Sequence, residues 1–340
     1  MSSAHNTQVL LDSRPRGWPT EANFRIVETP IPEPGEGELL VRVHWLSLDP
    51  YMRGRMNDGK SYAAKVELGE VMIGGAVGEV VRSNNPAFKE GDFLVGSFGW
   101  QEYALSKGNG VMKVDPARAP LSAYLGAVGM PGITAYIGLL DIGAPKAGET
   151  VVVSAASGAV GCVVGQIAKM RGCRAVGIAG GAAKCALVMG EFGFDACIDY
   201  KAGPIKDELK KHCPRGVDVF FDNVGGEILE AVLARLAVKA RIGICGAISQ
   251  INFAGRRAGA EELHVAAGEP RPHGRLRRPR PRGSVPRGPG GDVRLSQGRP
   301  PQDPGGRGRG RRDGVPASAA QAVLGRELRQ AGAGRGQGMR

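Results

Sequence analysis

A strand, a glycine-containing turn and a helix follow one another between Thr150 and Met170. The letters VVVS at 151–154 are typical of a buried strand, and apolar residues recur at helical spacing over Val160–Met170. Four further apolar segments follow, AVGI, ACI, VDVFF and RIGICGAI, with a helical stretch between the first two that ends near Phe192-Gly193. Alternating strands and helices predict an α/β fold, a doubly wound parallel sheet with helices on both faces.

The turn between this first strand and helix fits the pattern G-x-G-x-x-G, with Ala156, Gly158 and Gly161 at the three glycine positions. The second position lets a pyrophosphate approach the backbone, and the third lets the helix close on the strand. The N–H groups at the helix start, around Ala159 and Val160, would face the phosphates. Glycine-rich helix starts without a nucleotide also occur in α/β cores, but the strand before and the helix after favour a dinucleotide site.

The end of the second strand discriminates between the two nicotinamide cofactors. An NAD site usually carries Asp or Glu there to hold the ribose 2′-hydroxyl. Here AVGI continues into Ala179-Gly180-Gly181, without a carboxylate, and Lys184 follows. A lysine attracts a 2′-phosphate, so the sequence favours NADP(H). The alternative is that Lys184 is an ordinary solvated helix residue.

Residues 7–115 have a different rhythm, in which short apolar runs alternate with Gly and Pro turns. Strands of this length, with turn signals every ten residues or so, predict a compact all-β unit.

The charge of the chain is concentrated at its C-terminal end. Residues 251–340 hold 19 Arg, no Lys and 7 acidic residues, which gives a net charge of +12, equal to that of the whole chain. The same stretch has 19 Gly and 10 Pro, and Phe253 is its single aromatic residue. Such a composition predicts a disordered basic tail, because too little apolar surface is available to offset the entropy of ordering the backbone.

The cysteines and the apolar segments bear on location. All six cysteines lie between Cys162 and Cys245, without a CxxC pair or a Cys-x-His cluster, so the sequence predicts reduced thiols of a cytoplasmic protein, without disulfides or zinc. The N-terminus has no secretory signal pattern. The uncharged stretches Ala119–Leu140 and Thr150–Ala168 are interrupted by turns, which favours buried core over membrane spans.

Several short motifs, read together, carry a family resemblance. They are LDPYMRGRM at 48–56, GMPGITAY at 129–136, the turn at 155–161, FGFD at 192–195 with Tyr200-Lys201, DNVGG at 222–226 and CGAISQ at 245–250. From about residue 7 to about residue 252 the chain resembles the zinc-independent branch of the medium-chain dehydrogenase/reductase superfamily. More narrowly, it resembles the NADP-dependent alkenal double-bond reductases, also called prostaglandin or leukotriene B4 reductases.

The resemblance implies a GroES-like substrate and catalytic domain over 1–125 and a Rossmann NADP-binding domain over 126–252, with the active cleft between them. It also implies a small enone or alkenal substrate and, as in many relatives, a homodimer. The implied cofactor contacts are Gly158 to Gly161 at the pyrophosphate, with Ala156 in the same turn, Lys184 and Tyr200 at the 2′-phosphate, and Asn223 and Cys245 nearer the nicotinamide. Tyr51 would line the substrate pocket; the alternative is a tyrosine packed at a domain seam.

The resemblance also implies metal-free reduction of the carbon–carbon double bond. Zinc enzymes of the superfamily carry a Gly-His-Glu segment where this chain has residues 74–79 without His, and His44 is interpreted as a packed or surface residue. Hydride would go to the β-carbon of an enone, and a hydroxyl of Tyr51 or of the cofactor ribose would stabilise the enolate oxygen. Many relatives have a second tyrosine where this chain has Ile251, which weakens the case for a side-chain proton donor.

After Asn252-Phe253 the family pattern stops. Codons compatible with Glu261–Pro270, 305–310 and Gln321–Gly332 can, when shifted by one base, encode KNYMSLLVN, EDVVEG and KLFSGENFGKLV, which are typical of the family and stand in its order. The hypothesis is therefore that 253–340 is translated out of frame, which would leave the Rossmann domain incomplete and impair activity. The alternative is an RNA-binding arm, although such arms usually interleave aromatic residues.

Three functions from different classes remain open at this point. They are an NADPH-dependent enone or alkenal reductase, a zinc-free NADPH quinone oxidoreductase, and a non-catalytic chain whose basic tail binds RNA. A nucleic-acid partner is not the favoured prediction, since the basic charge belongs to the tail alone.

Overall fold

A computed structural model describes residues 5–59, 64–252 and 294–296. The chain forms two compact units. The β unit consists of the described residues up to Ala135 together with Gly246–Asn252, and the α/β unit consists of Tyr136–Cys245 together with the strand at 294–296. The division between the two units falls after Ala135, within the helix Met130–Ile137, and the chain returns to the β unit at Gly246. The expected domain limits, 1–125 and 126–252, stay predictions.

The β unit contains two antiparallel sheets. Strands β1 (His5–Leu11) and β2 (Phe24–Pro30) pair with each other. The second sheet has the order β6-β3-β4-β5-β7, with β3 Leu39–Leu46, β4 Ala76–Ser83, β5 Phe93–Gly96, β6 Tyr103–Ser106 and β7 Met112–Val114. The described part of this unit is completed by a short helix, α1 (Tyr51–Arg55), by the first six residues of the helix Met130–Ile137, and by 3-10 turns at Glu21–Asn23, Leu121–Leu125 and Ile248–Gln250.

The all-β prediction for residues 7–115 is confirmed, and the unit has an apolar interior of its own. One cluster packs Leu11, Met52 and Trp100 together, and another packs Val41 with Leu94. Strands β3 and β4 approach closely at Gly78, where a Cβ atom would lie 2.3 Å from the carbonyl oxygen of Arg42. The alternation of short apolar runs and turns therefore gives a packed β unit, as the strand pattern predicts.

The α/β unit is built on one parallel sheet with the order β10-β9-β8-β11-β12-β13. Its strands are β8 Thr150–Ser154, β9 Arg174–Ala179, β10 Ala196–Asp199, β11 Val217–Asp222, β12 Leu236–Ile244 and β13 Arg294–Ser296. The helices after α1 are α2 Met130–Ile137, α3 Gly161–Met170, α4 Ala182–Gly190, α5 Ile205–His212 and α6 Gly226–Leu233, with a π-helical turn at Gly138–Gly143.

Helices cover both faces of this sheet, which confirms the doubly wound prediction. Val176 and Ile178 of β9 belong to the cluster that includes Leu209 of α5. Gly177 lies between these two residues in the strand, so its position faces the opposite side of the sheet. A Cβ atom there would lie 2.9 Å from Cγ1 of Val188 in α4. All five residues of β8 are buried, as expected for the central strand of a two-sided parallel sheet.

The predicted disordered tail, 253–340, lies outside the described residues except for Arg294–Ser296. Those three residues differ from the prediction, because they form an edge strand parallel to β12 in the register Arg241↔Arg294. The physical reason is that the edge of β12 offers backbone N–H and C=O groups to any extended segment. The letters DVRLSQ at 292–297 form a segment of the tail without Gly or Pro.

Candidate cofactor site

In the turn between β8 and α3, the backbone at Gly158 and Gly161 lies close to the carbonyl oxygen of Ala155. A Cβ atom on Gly161 would lie 2.3 Å from the carbonyl oxygen of Ala155, and one on Gly158 would lie 3.1 Å from the same oxygen. Ala155 has a φ of 50°, and the Gly158 N–H donates to its carbonyl at 2.9 Å. Glycine is therefore required at Gly161 for the helix to start here, as the third position of the motif demands.

The other predicted residues of this turn occupy the places that the motif assigns. Ala156 is fully buried and its N–H donates to the carbonyl of Ile178 at 3.1 Å, which anchors the turn to β9. Ala159 is exposed, and Val160 is the residue before α3, where no side chain caps the helix. The start of α3 has no side-chain cap, and a helix N-terminus of this kind can bind an anion through its backbone N–H groups.

The turn after β9 is held by the strand next to it. The carboxylate oxygen Oδ1 of Asp199 accepts the N–H groups of Gly181 at 2.8 Å and of Lys201 at 3.0 Å, which lowers the pKa of Asp199. The Tyr200 side chain lies directly on the turn, because a Cβ atom on Gly180 would be 2.7 Å from its hydroxyl oxygen. Lys184 is exposed in the first turn of α4. Lys184 and Tyr200, both predicted for the 2′-phosphate, thus flank the β9–α4 turn on neighbouring elements.

A buried polar network joins the carboxyl ends of β8 and β11. Ser154 Oγ donates to Asp222 Oδ1 at 2.8 Å and accepts the backbone N–H of Asn223 at 2.7 Å. Asp222 also accepts the N–H groups of Val224 at 2.9 Å and of Gly225 at 3.1 Å. Burial raises the pKa of Asp222, and these hydrogen bonds oppose that shift. The network fixes the loop that leads into α6.

Asn223 is the residue of this network that has a free polar atom. Its side chain is 4% exposed, and Nδ2 donates to the carbonyl oxygen of Ser154 at 2.7 Å. Its Oδ1 is buried and has no hydrogen-bond partner among the described residues. Because a buried polar atom without a partner is costly, a ligand that donates a hydrogen bond fits at this position. The residues present therefore fit a dinucleotide.

Cys245 follows β12 and is tied to the same edge of the sheet. Its backbone N–H donates to the carbonyl of Asp222 at 2.8 Å, and its side chain is half-buried. The structure thus brings the backbone of Cys245 to the loop of Asn223, and the cofactor contacts expected of both residues stay predictions. Ser154 and Asp222 were not predicted as site residues from the sequence; the available signal was a serine that follows VVV and an aspartate that follows VFF, each at the end of its strand.

Tyr51 lies in the β unit, as the first residue of α1, and is half-buried. Its ring packs against the cluster of Met52 and Met56. The guanidinium of Arg55 lies 5.9 Å from the centroid of the ring, at cation–π distance. Tyr51 is therefore packed within the β unit on the side of Met52 and Met56, and its role in a substrate pocket or at a domain seam stays a prediction.

The sequence also led to predictions about metal ligands, His44 and membrane spans. The part of the chain that the structure describes contains no group of three or more His, Cys, Asp or Glu residues able to hold a metal ion. His44 lies 3.5 Å from Glu79 and beside the ring of Phe93, in agreement with a packed or surface role. Within the same described ranges, every helix is too short or too polar to cross a bilayer.

Comparison with known proteins gives two family matches that together cover most of the described chain. Residues 7–114 match a family described as the N-terminal domain of oxidoreductase, and residues 159–266 match a family described as zinc-binding dehydrogenase.

Individual relatives match across both units. NADPH-dependent curcumin reductase from Escherichia coli is 49% identical over 258 residues, which are 76% of this chain and 75% of that protein. Prostaglandin reductase 1 from Mus musculus is 46% identical over 243 residues, which are 70% of this chain and 71% of that protein. A crystal structure of CurA from Vibrio vulnificus in complex with NADPH has a TM-score of 0.72 and 48% identity, and the match covers 76% of this chain and 77% of that one.

Proposed function

This chain belongs to the medium-chain dehydrogenase/reductase family, in the group of the NADPH-dependent double-bond reductases, and on that basis we propose how it works. It reduces the carbon–carbon double bond of α,β-unsaturated aldehydes and ketones with NADPH. Relatives named for this chemistry include the 2-alkenal reductase (NADP(+)-dependent) from Nicotiana tabacum, which is 42% identical over 255 residues.

The observation that carries the choice of cofactor is the end of β9. The strand ends at Ala179, and Gly180-Gly181 follow, so no carboxylate stands where an NAD site would hold the ribose hydroxyls. The nearest carboxylate oxygen, Asp199 Oδ1, is used by two backbone N–H groups. Lys184 and Tyr200 lie beside this turn and are proposed to bind the 2′-phosphate through a charge and a hydroxyl.

The remaining proposed contacts follow the order of the strands. The turn at Ala156–Gly161 lies after the central strand β8 and binds the pyrophosphate through backbone N–H groups. The loop of Asn223 and the backbone at Cys245 lie after β11 and β12, on the opposite side of β8 from the 2′-phosphate residues. They are therefore proposed to hold the nicotinamide half of the cofactor.

The chemistry divides between the cofactor and the protein. Bound NADPH supplies a hydride, which goes to the β-carbon of the enone. The protein orients the two reactants and places a hydrogen-bond donor at the carbonyl oxygen, where negative charge develops as the enolate forms. The hydroxyl of Tyr51 is the proposed donor. Since Ile251 offers no proton, the α-carbon is proposed to take its proton from solvent.

We propose that the reaction needs no metal. The stretch 74–79 has no histidine at the position where zinc enzymes of the superfamily have one, and His44 is engaged with Glu79. These residues therefore do not resemble a catalytic zinc site, which needs three protein ligands.

Location and assembly are part of the same proposal. All six cysteines are free thiols, which supports a reducing compartment such as the cytoplasm. The substrate is a small molecule, and we propose a homodimer as the working assembly, to be measured by light scattering. No membrane or nucleic-acid partner is proposed.

The tail is proposed to be out of frame. The match with the E. coli relative covers 76% of this chain and 75% of that protein, so about a quarter of each lies outside the match. An altered reading frame after about residue 252 accounts for this, and it predicts that activity of the chain is impaired.

The function is tested by following an isotope. The full chain is incubated with NADPH carrying deuterium at nicotinamide C4 and with an aliphatic enone such as 3-nonen-2-one, and the product is analysed by mass spectrometry. We expect deuterium on the β-carbon of the saturated ketone, and slower turnover with NADH. Parallel reactions contain the saturated ketone nonan-2-one, or the quinone menadione.

Each other outcome contradicts a stated part of the proposal. Deuterium on the carbinol carbon would show carbonyl reduction instead. Faster turnover with menadione than with the enone would favour the quinone oxidoreductase. Absence of any NADPH oxidation, together with salt-sensitive RNA binding that is lost on deletion of 253–340, would favour the non-catalytic alternative.

A further inference from the structure

We propose that Ser154 and Asp222 are positioning residues, which hold the amide of Asn223 so that its Oδ1 accepts a hydrogen bond from the nicotinamide half of the cofactor. This inference rests on the proposed function, because it concerns the same NADPH site. Neither residue needs to touch the cofactor. Both act through Asn223, and the structure shows how.

The hydroxyl of Ser154 makes one donor and one acceptor hydrogen bond within the protein. Its proton goes to Asp222 Oδ1 at 2.8 Å, and its oxygen accepts the Asn223 N–H at 2.7 Å. Because one donor and one acceptor interaction are both made, the hydroxyl cannot rotate without breaking a buried hydrogen bond. Ser154 therefore fixes the backbone of Asn223 relative to β8.

The side chain of Asn223 is held in one orientation by the same residue. Nδ2 donates to the backbone carbonyl of Ser154 at 2.7 Å. A carbonyl can only accept, so the amino group must face Ser154 and Oδ1 must face away. A flipped amide would place two acceptors together at that distance. The orientation of the amide is thus determined by the hydrogen-bond network.

The orientation specifies what Asn223 can bind. Oδ1 is an acceptor, is buried, and has no partner within the described residues. It fits a hydroxyl or an amide N–H, and it repels a phosphate. On a nicotinamide dinucleotide the suitable groups are the ribose hydroxyls and the carboxamide, so Asn223 is assigned to that class of donor.

The sheet order places this contact on the nicotinamide side. The β9–α4 turn, with Lys184 and Tyr200, lies on one side of β8, and the loop after β11 lies on the other. A dinucleotide whose pyrophosphate lies at the β8–α3 turn extends in both directions from it. If the 2′-phosphate end lies over β9, the other half lies over β11.

Asp222 keeps the loop in the shape that this contact needs. Its two carboxylate oxygens accept hydrogen bonds from Ser154 Oγ and from the N–H groups of Val224 and Gly225. Asn223 therefore lies between Asp222 and Val224, which these bonds hold in place. These donors lie just before α6, where the helix dipole also favours a negative group. An apolar residue in place of Asp222 would leave three buried donors without an acceptor.

The experiment measures two ligands rather than one. NADPH spans the whole site, whereas adenosine 2′,5′-bisphosphate carries only the 2′-phosphate half. Dissociation constants of both are measured by calorimetry for the full chain and for Ser154→Ala, Asn223→Ala, the double variant and Asp222→Asn. Lys184→Ala serves as the reference for loss at the 2′-phosphate end.

A matched structural control lies at the other end of the same two strands. Asp218 Oδ2 accepts the N–H of Thr150 at 2.8 Å, so it also ties β11 to β8, but at their amino ends. Asp218→Asn alters a similar cross-strand bond far along the strands from Asn223. We expect it to leave both dissociation constants within about twofold of the unaltered chain.

We expect Ser154→Ala to weaken NADPH binding about tenfold, the usual cost of about one hydrogen bond, and to leave adenosine 2′,5′-bisphosphate within twofold. Asp222→Asn should show the same selective loss. In the Asn223→Ala background, Ser154→Ala should cause little further loss, because it acts through that residue. Lys184→Ala should weaken both ligands.

The opposite results overturn the inference in distinguishable ways. Equal weakening of both ligands by Ser154→Ala, or additive losses in the double variant, would show a merely structural role. An unchanged NADPH affinity would show no role. If the unaltered chain binds adenosine 2′,5′-bisphosphate and NADPH, the proposed function stands even then; if it binds neither, both fail.

Discussion

Arg53 and Asn252 lie 199 residues apart in the sequence, and Arg53 Nε donates to Asn252 Oδ1 at 3.1 Å. The guanidinium of Arg53 is 3% exposed, and burial lowers its pKa. It also donates to the carbonyl oxygens of Pro15 and Gly17 and to Asn57 Oδ1. One buried side chain therefore joins α1, the loop after β1 and the segment that returns to the β unit.

Replacement of Arg53 is expected to destabilise the β unit. Arg53→Met fills much of the same volume but leaves four buried or half-buried acceptors without their donor. We expect the free energy of unfolding, measured with urea, to fall by about 3 kcal/mol. Asn252→Ala removes one of these bonds and should cost about 1 kcal/mol.

The exposed Arg16, in the same loop as Pro15 and Gly17, gives a matched control. Arg16→Met should leave the unfolding free energy unchanged within error, as surface substitutions usually do. A loss at Arg53→Met no larger than at Arg16→Met would show that the buried guanidinium contributes little.

Gly180→Ala is expected to displace Tyr200. The new methyl group would lie 2.7 Å from the tyrosine hydroxyl oxygen, and the side chain, 44% exposed, would swing towards solvent. If Tyr200 binds the 2′-phosphate, loss of one hydrogen bond to that charged group should weaken adenosine 2′,5′-bisphosphate about tenfold. Gly190→Ala, where nothing lies within 4 Å, is the control and should not change the affinity. Equal affinities for the two variants would remove Tyr200 from the site.

Tyr51→Phe tests the proposed hydroxyl donor. Removal of one donor to a developing oxyanion should lower kcat for an enone by about a hundredfold, with KM changed less than threefold. Tyr103→Phe, in the same unit, is the control and should keep kcat. Steady-state rates at several enone concentrations measure both constants. A kcat retained in Tyr51→Phe would assign the role to the ribose hydroxyl or to solvent.

The pair of Glu149 and Arg241 should make stability depend on pH. Burial raises the pKa of Glu149, but the Arg241 guanidinium and the Lys146 N–H outweigh it and hold the pKa below the ordinary value of 4.5. The pair therefore stabilises the fold above pH 4.5, and the contribution is lost as the pH falls through the folded-state pKa.

Glu149→Gln should consequently cost about 1 kcal/mol of unfolding free energy at pH 7 and progressively less below pH 4.5. Urea unfolding between pH 7 and pH 3 measures the difference. Glu33→Gln, at the exposed pair with Arg82, should show no measurable cost at either pH. A constant cost for Glu149→Gln across this range would contradict the assigned titration.

The frame hypothesis has a direct readout. The coding DNA around codons 250–260 should contain a position at which one inserted or deleted base restores the family's ending. The 340-residue chain is expected to bind NADPH more weakly than a frame-restored chain does. Equal NADPH affinities of the unaltered and the frame-restored chain would contradict this expectation.

The sequence was sufficient for the fold class and for the β8–α3 turn. The local signals are a run of valines, Gly161 in the motif, and apolar residues at helical spacing after it. Each can be recognised without the structure. The alternation of strands and helices predicted that the strands run parallel, and the structure confirms this.

Features that depend on distant residues could not be predicted in this way. Ser154 and Asp222 meet only because β8 and β11 are neighbours, 68 positions apart in the chain. The segment 246–252 belongs to the β unit, and the hydrogen bond that joins Asn252 to Arg53 cannot be identified from the immediate neighbours of either residue. The strand Arg294–Ser296 depends on an available sheet edge rather than on any strong propensity of its own.

The bond from Arg53 to Asn252 also has a temporal consequence. Ribosomal synthesis proceeds from the N-terminus, so α1 emerges long before its last partner. The strands of the β unit can pair early, but the hydrogen bond from Arg53 to Asn252 can form only after residues 136–245 have been synthesised and Asn252 has left the exit tunnel. The unit that is translated first therefore acquires its last internal contact only after most of the second unit has been made.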